Sequence, residues 1–105
     1  MPRNKTTSFA PAKEYCVYVL EVDGGDVDEY YVGQSWHPAE VRRQQHIDGV
    51  RRGRIFKRRG RSVGRLRFDL VPPLEPLTTR EAAEAAEAYV SAVLRAQGLV
   101  VHGGH

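Results

Sequence analysis

A chain of 105 residues, 41% apolar and with nine aromatic side chains, is long enough for one modest core and too short for two, so a single folded domain is expected. No apolar run approaches the length of a membrane span, and Met1-Pro2-Arg3-Asn4-Lys5 has no apolar block behind its charges, which argues against a secretory signal and for a soluble, cytoplasmic protein. The net charge of +3 conceals a segregation. Between Arg42 and Arg67 lie eleven Lys or Arg residues against the single acid Asp48, a local net of +10, while the rest of the chain carries −7. Such a field points to a polyanionic partner, and the preference for Arg over Lys suits forked contacts with phosphate.

Residues 1–13 are polar, broken by Pro2 and Pro11, and read as a flexible tail ahead of a domain over 14–105. The domain opens on a hairpin: Tyr15-Cys16-Val17-Tyr18-Val19-Leu20-Glu21-Val22, the turn Asp23-Gly24-Gly25-Asp26, then Glu29-Tyr30-Tyr31-Val32-Gly33-Gln34. A two-residue Gly-Gly turn sets Tyr18 opposite Tyr31 on one face. A looser turn with an even insertion slides the pairing and keeps both rings on that face; an odd one separates them. The lone Cys16, inside this apolar strand and with no disulfide partner, is expected to be a small buried residue.

After Ser35-Trp36-His37-Pro38, a helix is expected from about Pro38 to Asp48, stopped near Gly49. Val41 and Ile47 give it a thin apolar face. Arg42 and His46, four apart, share another, and two groups that both tend towards positive charge make better sense facing an anion than facing each other. Residues 50–64 are basic, with Ile55 and Phe56 able to anchor either a short helix or a loop. The alternation in Arg65-Leu66-Arg67-Phe68-Asp69-Leu70 predicts a third strand with Leu66, Phe68 and Leu70 inward, ended by Pro72, Pro73 and Pro76.

A long helix is expected from Thr78 or Thr79 to about Gln97, with Thr78 and Glu81 as a capping box and Gly98 as terminator. Ala83, Ala86, Val90, Val93 and Leu94 form its apolar stripe, and Glu84 projects away. Glu87 falls on or beside the stripe, and a buried acid is costly unless paired or bound to a metal. Leu99-Val100-Val101-His102 reads as a short extended segment. His102 and His105 are a weak metal pair without a third ligand.

Two tyrosines, an arginine beside a histidine, a solitary carboxylate and a basic surface are parts that phosphodiester hydrolysis uses. The surface holds the nucleic-acid backbone, the arginine neutralises the scissile phosphate, and one carboxylate suffices to hold a Mg²⁺ that keeps its waters. A tyrosine of ordinary pKa about 10 is a poor base at neutral pH, so it needs help from Arg42, His46 or a metal.

Cys16-Val17-Tyr18 followed by Tyr31-Val32-Gly33, then Arg42 and His46 on a helix, then Glu87 in an Ala-x-x-x-Glu context on an alanine-rich helix, resembles the GIY-YIG endonuclease domain over about residues 14–102. The resemblance implies an α+β fold, a small three-stranded antiparallel sheet flanked by helices, and a DNA endonuclease or nickase using one Mg²⁺ or Mn²⁺. It makes Tyr18 the general base or its relay, Tyr31 the residue that positions water and phosphate, Arg42 the phosphate ligand and Glu87 the metal ligand, with His46 near the nucleophile. Arg43, Arg51, Arg52, Arg54, Lys57, Arg58, Arg59 and Arg61 are the expected nucleic-acid contacts, DNA before RNA, with no membrane partner and a protein partner or homodimer supplying target selection. The sequence departs from the family pattern in four places. Cys16 stands for the first glycine, Arg42 comes one residue late so that Arg43 is its substitute, Glu84 is the alternative to Glu87, and no asparagine occurs after Asn4. A nucleic-acid-binding module that has lost catalysis is the competing expectation.

Overall fold

A computed structural model describes residues 14–103; the tail expected over 1–13 and the histidine at 105 lie outside the described residues. The elements are β1 (Cys16–Asp23), β2 (Glu29–Ser35), α1 (Ala39–Asp48), β3 (Ser62–Leu66), α2 (Arg80–Ala96) and β4 (Val100–Gly103), with single 3-10 turns at Arg54–Lys57 and Phe68–Leu70. They form one four-stranded mixed sheet in the order β3-β1-β2-β4. β1 is antiparallel to both β2 and β3, and β4 is parallel to β2. The expected sheet of three antiparallel strands is therefore corrected. The segment after Gly98 adds a fourth strand, and it runs parallel to β2 because α2 carries the chain back to the end of the sheet where β2 begins.

The hairpin register pairs Tyr18 with Gly33 and Leu20 with Tyr31, two residues looser than a Gly-Gly turn would give. The paired residues end at Val22 and Glu29. Glu29 is buried opposite Val22, where Arg61 and His102 both bond its carboxylate, and the turn spans the residues between. The shift is even, so both rings stay on one face.

Because side chains alternate along β1, it feeds a core on each side of the sheet. Val17 and Val19 join Tyr30 and Val32 of β2 against Leu77 and against Ala86, Val90 and Leu94 of α2. Tyr18, Leu20 and Val22 face Ala39 of α1 and the Ile55–Phe56 pair. Each fully buried aliphatic or aromatic side chain contributes about 1.5–3 kcal/mol. Ile55 and Phe56 thus anchor a 3-10 turn in the middle of the basic segment, settling its form.

The third strand ends earlier than the alternation suggests. β3 covers Ser62–Leu66, and Phe68 is 59% exposed in the 3-10 turn beyond it. The Arg67 amide still donates to the Val19 carbonyl (2.8 Å), but its side chain is drawn to Glu21 and Asp69, and the chain turns there. On α2 the N-cap is Thr79, whose Oγ1 accepts the Ala82 N–H at 3.0 Å; a single cap replaces the capping box expected from Thr78 and Glu81. The apolar stripe matches the expected one except that Val93 is half-buried, and Gly98 closes the helix in the left-handed region with φ 87°. α1 starts after Pro38 and ends at Gly49, also left-handed, as expected. What it buries is Ala39 and His46, whereas Val41 and Ile47 are exposed.

Candidate active site

Four elements converge on one cleft of about 470 Å³. β1 supplies Tyr18, β2 supplies Tyr31, Gly33 and Gln34, α1 supplies Arg42, and α2 supplies Glu84 and Glu87. α2 packs on the opposite sheet face from Tyr18. β4 pairs only with residues 29–32 of β2, so the rest of β2 extends past its end, and there Glu87 shares the cleft with the tyrosines. Gly33 makes room for them: a Cβ at this position would stand 2.5 Å from the Tyr18 hydroxyl and 3.0 Å from the Tyr31 ring.

The two tyrosine rings have centroids 6.3 Å apart, and His46 packs edge-on against Tyr31 at 5.1 Å, with Phe56 beneath both. His46 is fully buried. Its Nδ1 accepts the Gly53 amide proton at 3.0 Å, so the neutral ring carries its own proton on Nε2, which lies 2.8 Å from the Tyr18 hydroxyl. Nε2–H therefore donates to Tyr18. Burial, followed by the charges of Arg42 and Arg52, pushes the His46 pKa down to about 4 and keeps the ring neutral. Gly53 serves twice, since a Cβ there would come within 2.6 Å of the Tyr31 ring.

Burial also raises the phenol pKa of Tyr18, reinforced by Tyr31 and by Glu87 and opposed by Arg42. Tyr31 is raised for the same first cause, then by Glu87, again with Arg42 opposing. The Glu87 carboxylate and the Arg42 guanidinium thus act electrostatically on both hydroxyls, and neither tyrosine rests as a phenolate. Glu87 is half-buried; Glu84 is exposed and holds Arg80 at 3.1 Å.

Arg42 is fixed by its own helix and by the segment after α1: its Nη1 donates to the Val50 carbonyl (2.9 Å) and to Gln45 Oε1 (3.3 Å), and its Nη2 to the Arg51 carbonyl. Arg43 points elsewhere and donates through Nε to the Gly64 carbonyl at 2.8 Å, tying α1 to β3. The cleft arginine is therefore Arg42. Of the expected nucleic-acid contacts, Arg43, Arg52 and Arg61 have intramolecular partners: Arg52 closes α1 on the His46 and Ile47 carbonyls (2.8 Å each), and Arg61 pairs with Glu29 at 3.2 Å. Arg51, Arg54, Lys57, Arg58 and Arg59 are exposed, and their side chains make no hydrogen bond or ion pair to another described residue.

Two features escape a reading of the sequence. Gln34 Oε1 is buried without a hydrogen-bond partner among the described residues, beside the cleft. Its signal is a polar residue where the alternation of Tyr30 and Val32 calls for an apolar one. Glu29 is the other, buried between His102 (2.8 Å) and Arg61. Cys16 is half-buried, its Sγ–H donates to the His37 carbonyl at 3.4 Å, and burial raises its pKa, as expected of an unreactive thiol. Among the described residues no three His, Cys, Asp or Glu side chains group as a metal cage. Comparison of the chain with protein-family models, curated proteins and solved structures finds no match.

Proposed function

We propose that the chain is a nucleic-acid phosphodiesterase of GIY-YIG type, an endonuclease or nickase dependent on one divalent cation. The observation that carries this reading is the meeting of Tyr18, Tyr31, Arg42 and Glu87, brought from four separate elements, in a single cleft. A set of core-filling or solvated side chains has no reason to converge in this way.

The donor set fits Mg²⁺ or Mn²⁺. Glu87, with Glu84 beside it, offers the one or two carboxylates that such an ion takes while keeping its waters and a substrate phosphate, and a full protein cage is not required. An ion held there would supply positive charge at the scissile phosphate and lower the pKa of a water. Arg42, pre-set by three acceptors, faces the phosphate without reorganising. Tyr18 accepts Nε2–H from His46 and so keeps its own hydrogen and one lone pair for the cleft, the valence needed to hold the attacking water and pass on a proton. His46 touches only protein and acts as a positioning residue. Tyr31 lines the same wall and orients water and phosphate. The exposed cations of the 51–59 segment hold the backbone of the substrate, with DNA the first expectation.

The test is cleavage of duplex, branched and single-stranded DNA by the purified protein with Mg²⁺ or Mn²⁺. The expected result is metal-dependent cutting that is lost in Glu87→Ala. Salt-sensitive binding with no cleavage of any substrate in either metal would sink the catalytic reading and leave a binding module on the same scaffold.

A further inference from the structure

Beside the cleft, and sharing Gln34 and Arg42 with it, runs a second groove of about 560 Å³. Its wall carries Trp36 and His37, stacked with ring centroids 4.1 Å apart and planes 28° off parallel, together with Arg51 and Arg80. Trp36 is 52% exposed. The loop that bears it is held in place, since the His37 N–H donates to Ser35 Oγ (2.9 Å) and the His37 carbonyl accepts from Cys16 Sγ (3.4 Å). An indole displayed on a braced loop, in a groove also lined by the guanidinium groups of Arg42, Arg51 and Arg80, has the makeup of a stacking platform for a nucleobase.

We propose that this groove takes an unpaired nucleotide next to the phosphate at Arg42, with its base stacked on Trp36, and Arg51 and Arg80 meeting the flanking phosphates. The substrate class is then a single strand, or a duplex with a single-stranded segment at the cut. A paired base has both faces covered by its neighbours and cannot stack on a side chain, whereas every unpaired base offers a free π-face. The inference rests on the nucleic-acid reading above and adds to it the strandedness of the substrate.

Trp36 is the sole tryptophan of the chain, so its emission reports stacking directly. The wild-type protein, without divalent metal, is titrated with a short single-stranded oligodeoxynucleotide, with its duplex, and with the same strand made abasic; a ribo-oligonucleotide forms a further arm. Saturable quenching is expected with the single strand of either sugar, the stronger identifying which is preferred, and little with the duplex or the abasic strand. Trp36→Ala should weaken single-strand binding about tenfold, leave duplex binding unchanged, and be partly offset in Trp36→Phe. Single-strand binding without quenching, equal quenching by duplex, or an unaffected Trp36→Ala would overturn the proposal. If the duplex is still bound and cut in that case, the nuclease reading survives; if no oligonucleotide of any form binds, both fall together.

Discussion

The Tyr18 hydroxyl receives the Nε2–H of His46 across 2.8 Å, and that direction is set on the far side of the ring, where Gly53 N–H fills Nδ1. The proton on Tyr18 is thus left for the cleft. Tyr18→Phe removes it while keeping the ring and its packing. If Tyr18 handles a proton in the proposed reaction, cleavage should fall about 10²–10⁴-fold, with oligonucleotide binding unchanged. The same substitution strands the buried Nε2–H, so the urea midpoint should drop by the equivalent of about 1–3 kcal/mol. Cutting by Tyr18→Phe at the wild-type rate would remove Tyr18 from the mechanism.

His46 makes the fold acid-sensitive in a defined window. Its pKa is 6.5 in an unfolded chain and about 4 in place, so between these values the unfolded state binds the extra proton. Stability is full above pH 6.5 and is lost as the pH falls, by about 1.4 kcal/mol per pH unit. Glu21 and Glu29, whose carboxyls are held below 4.5 by Arg65 and His102 respectively as the leading causes, add their own loss only further down. Denaturant unfolding between pH 7 and pH 5 should show the slope in the wild type and not in His46→Gln. Parallel curves for the two proteins would mean that the ring is not protonated on unfolding in this range.

Gly33 is the residue on which the two rings depend. Its backbone is extended, so conformational freedom is not what keeps it glycine; the space above it is. In Gly33→Ala the new methyl meets Tyr18 Oη and Cζ at 2.5 and 2.6 Å, contacts that only movement of the ring relieves. Overpacking of this kind costs about 1–3 kcal/mol, and each kcal/mol lowers the melting temperature of a domain this size by about 4–8 °C. Cleavage should fall along with stability, because the displaced hydroxyl loses His46. A Gly33→Ala protein with unchanged melting temperature would show that the rings are less tightly seated than the geometry implies.

The legible part of the site came from parity and periodicity. A separation of thirteen residues puts Tyr18 and Tyr31 on one face whatever the turn does by twos, and the helical period sets Glu87 beside the stripe that packs inward. The register itself was not legible, since the Gly-Gly turn does not set it, and neither was the burial of Glu29, whose partners Arg61 and His102 lie 32 and 73 positions away. His46 was legible as a site residue beside Arg42, but its burial as a neutral ring was not, for the same reason. Nothing local distinguishes a helix-end histidine from one buried under two tyrosines and capped by a glycine amide seven residues on. The parallel β4 and the early end of β3 also depend on long-range contacts, with β2 and with Glu21 respectively, which alternation along the chain does not encode.

The basic segment reads as one uniform patch in the sequence, yet the fold divides its cations into two kinds, and the division can be measured. Arg58 and Arg59 are exposed and have no described partner, so under the proposed function they contribute by counterion release from the nucleic acid. Replacing both with Gln should reduce the slope of log affinity against log salt by about two and leave the melting temperature where it was. Arg52 is different. It donates to the His46 and Ile47 carbonyls at the end of α1, so Arg52→Gln should cost about 1 kcal/mol of stability and leave the salt slope nearly unchanged. Affinity measured across a salt series, beside thermal unfolding of the same two variants, separates the roles. If Arg52→Gln moves the salt slope as far as the double variant does, the surface engages nucleic acid as the single patch that the sequence suggests.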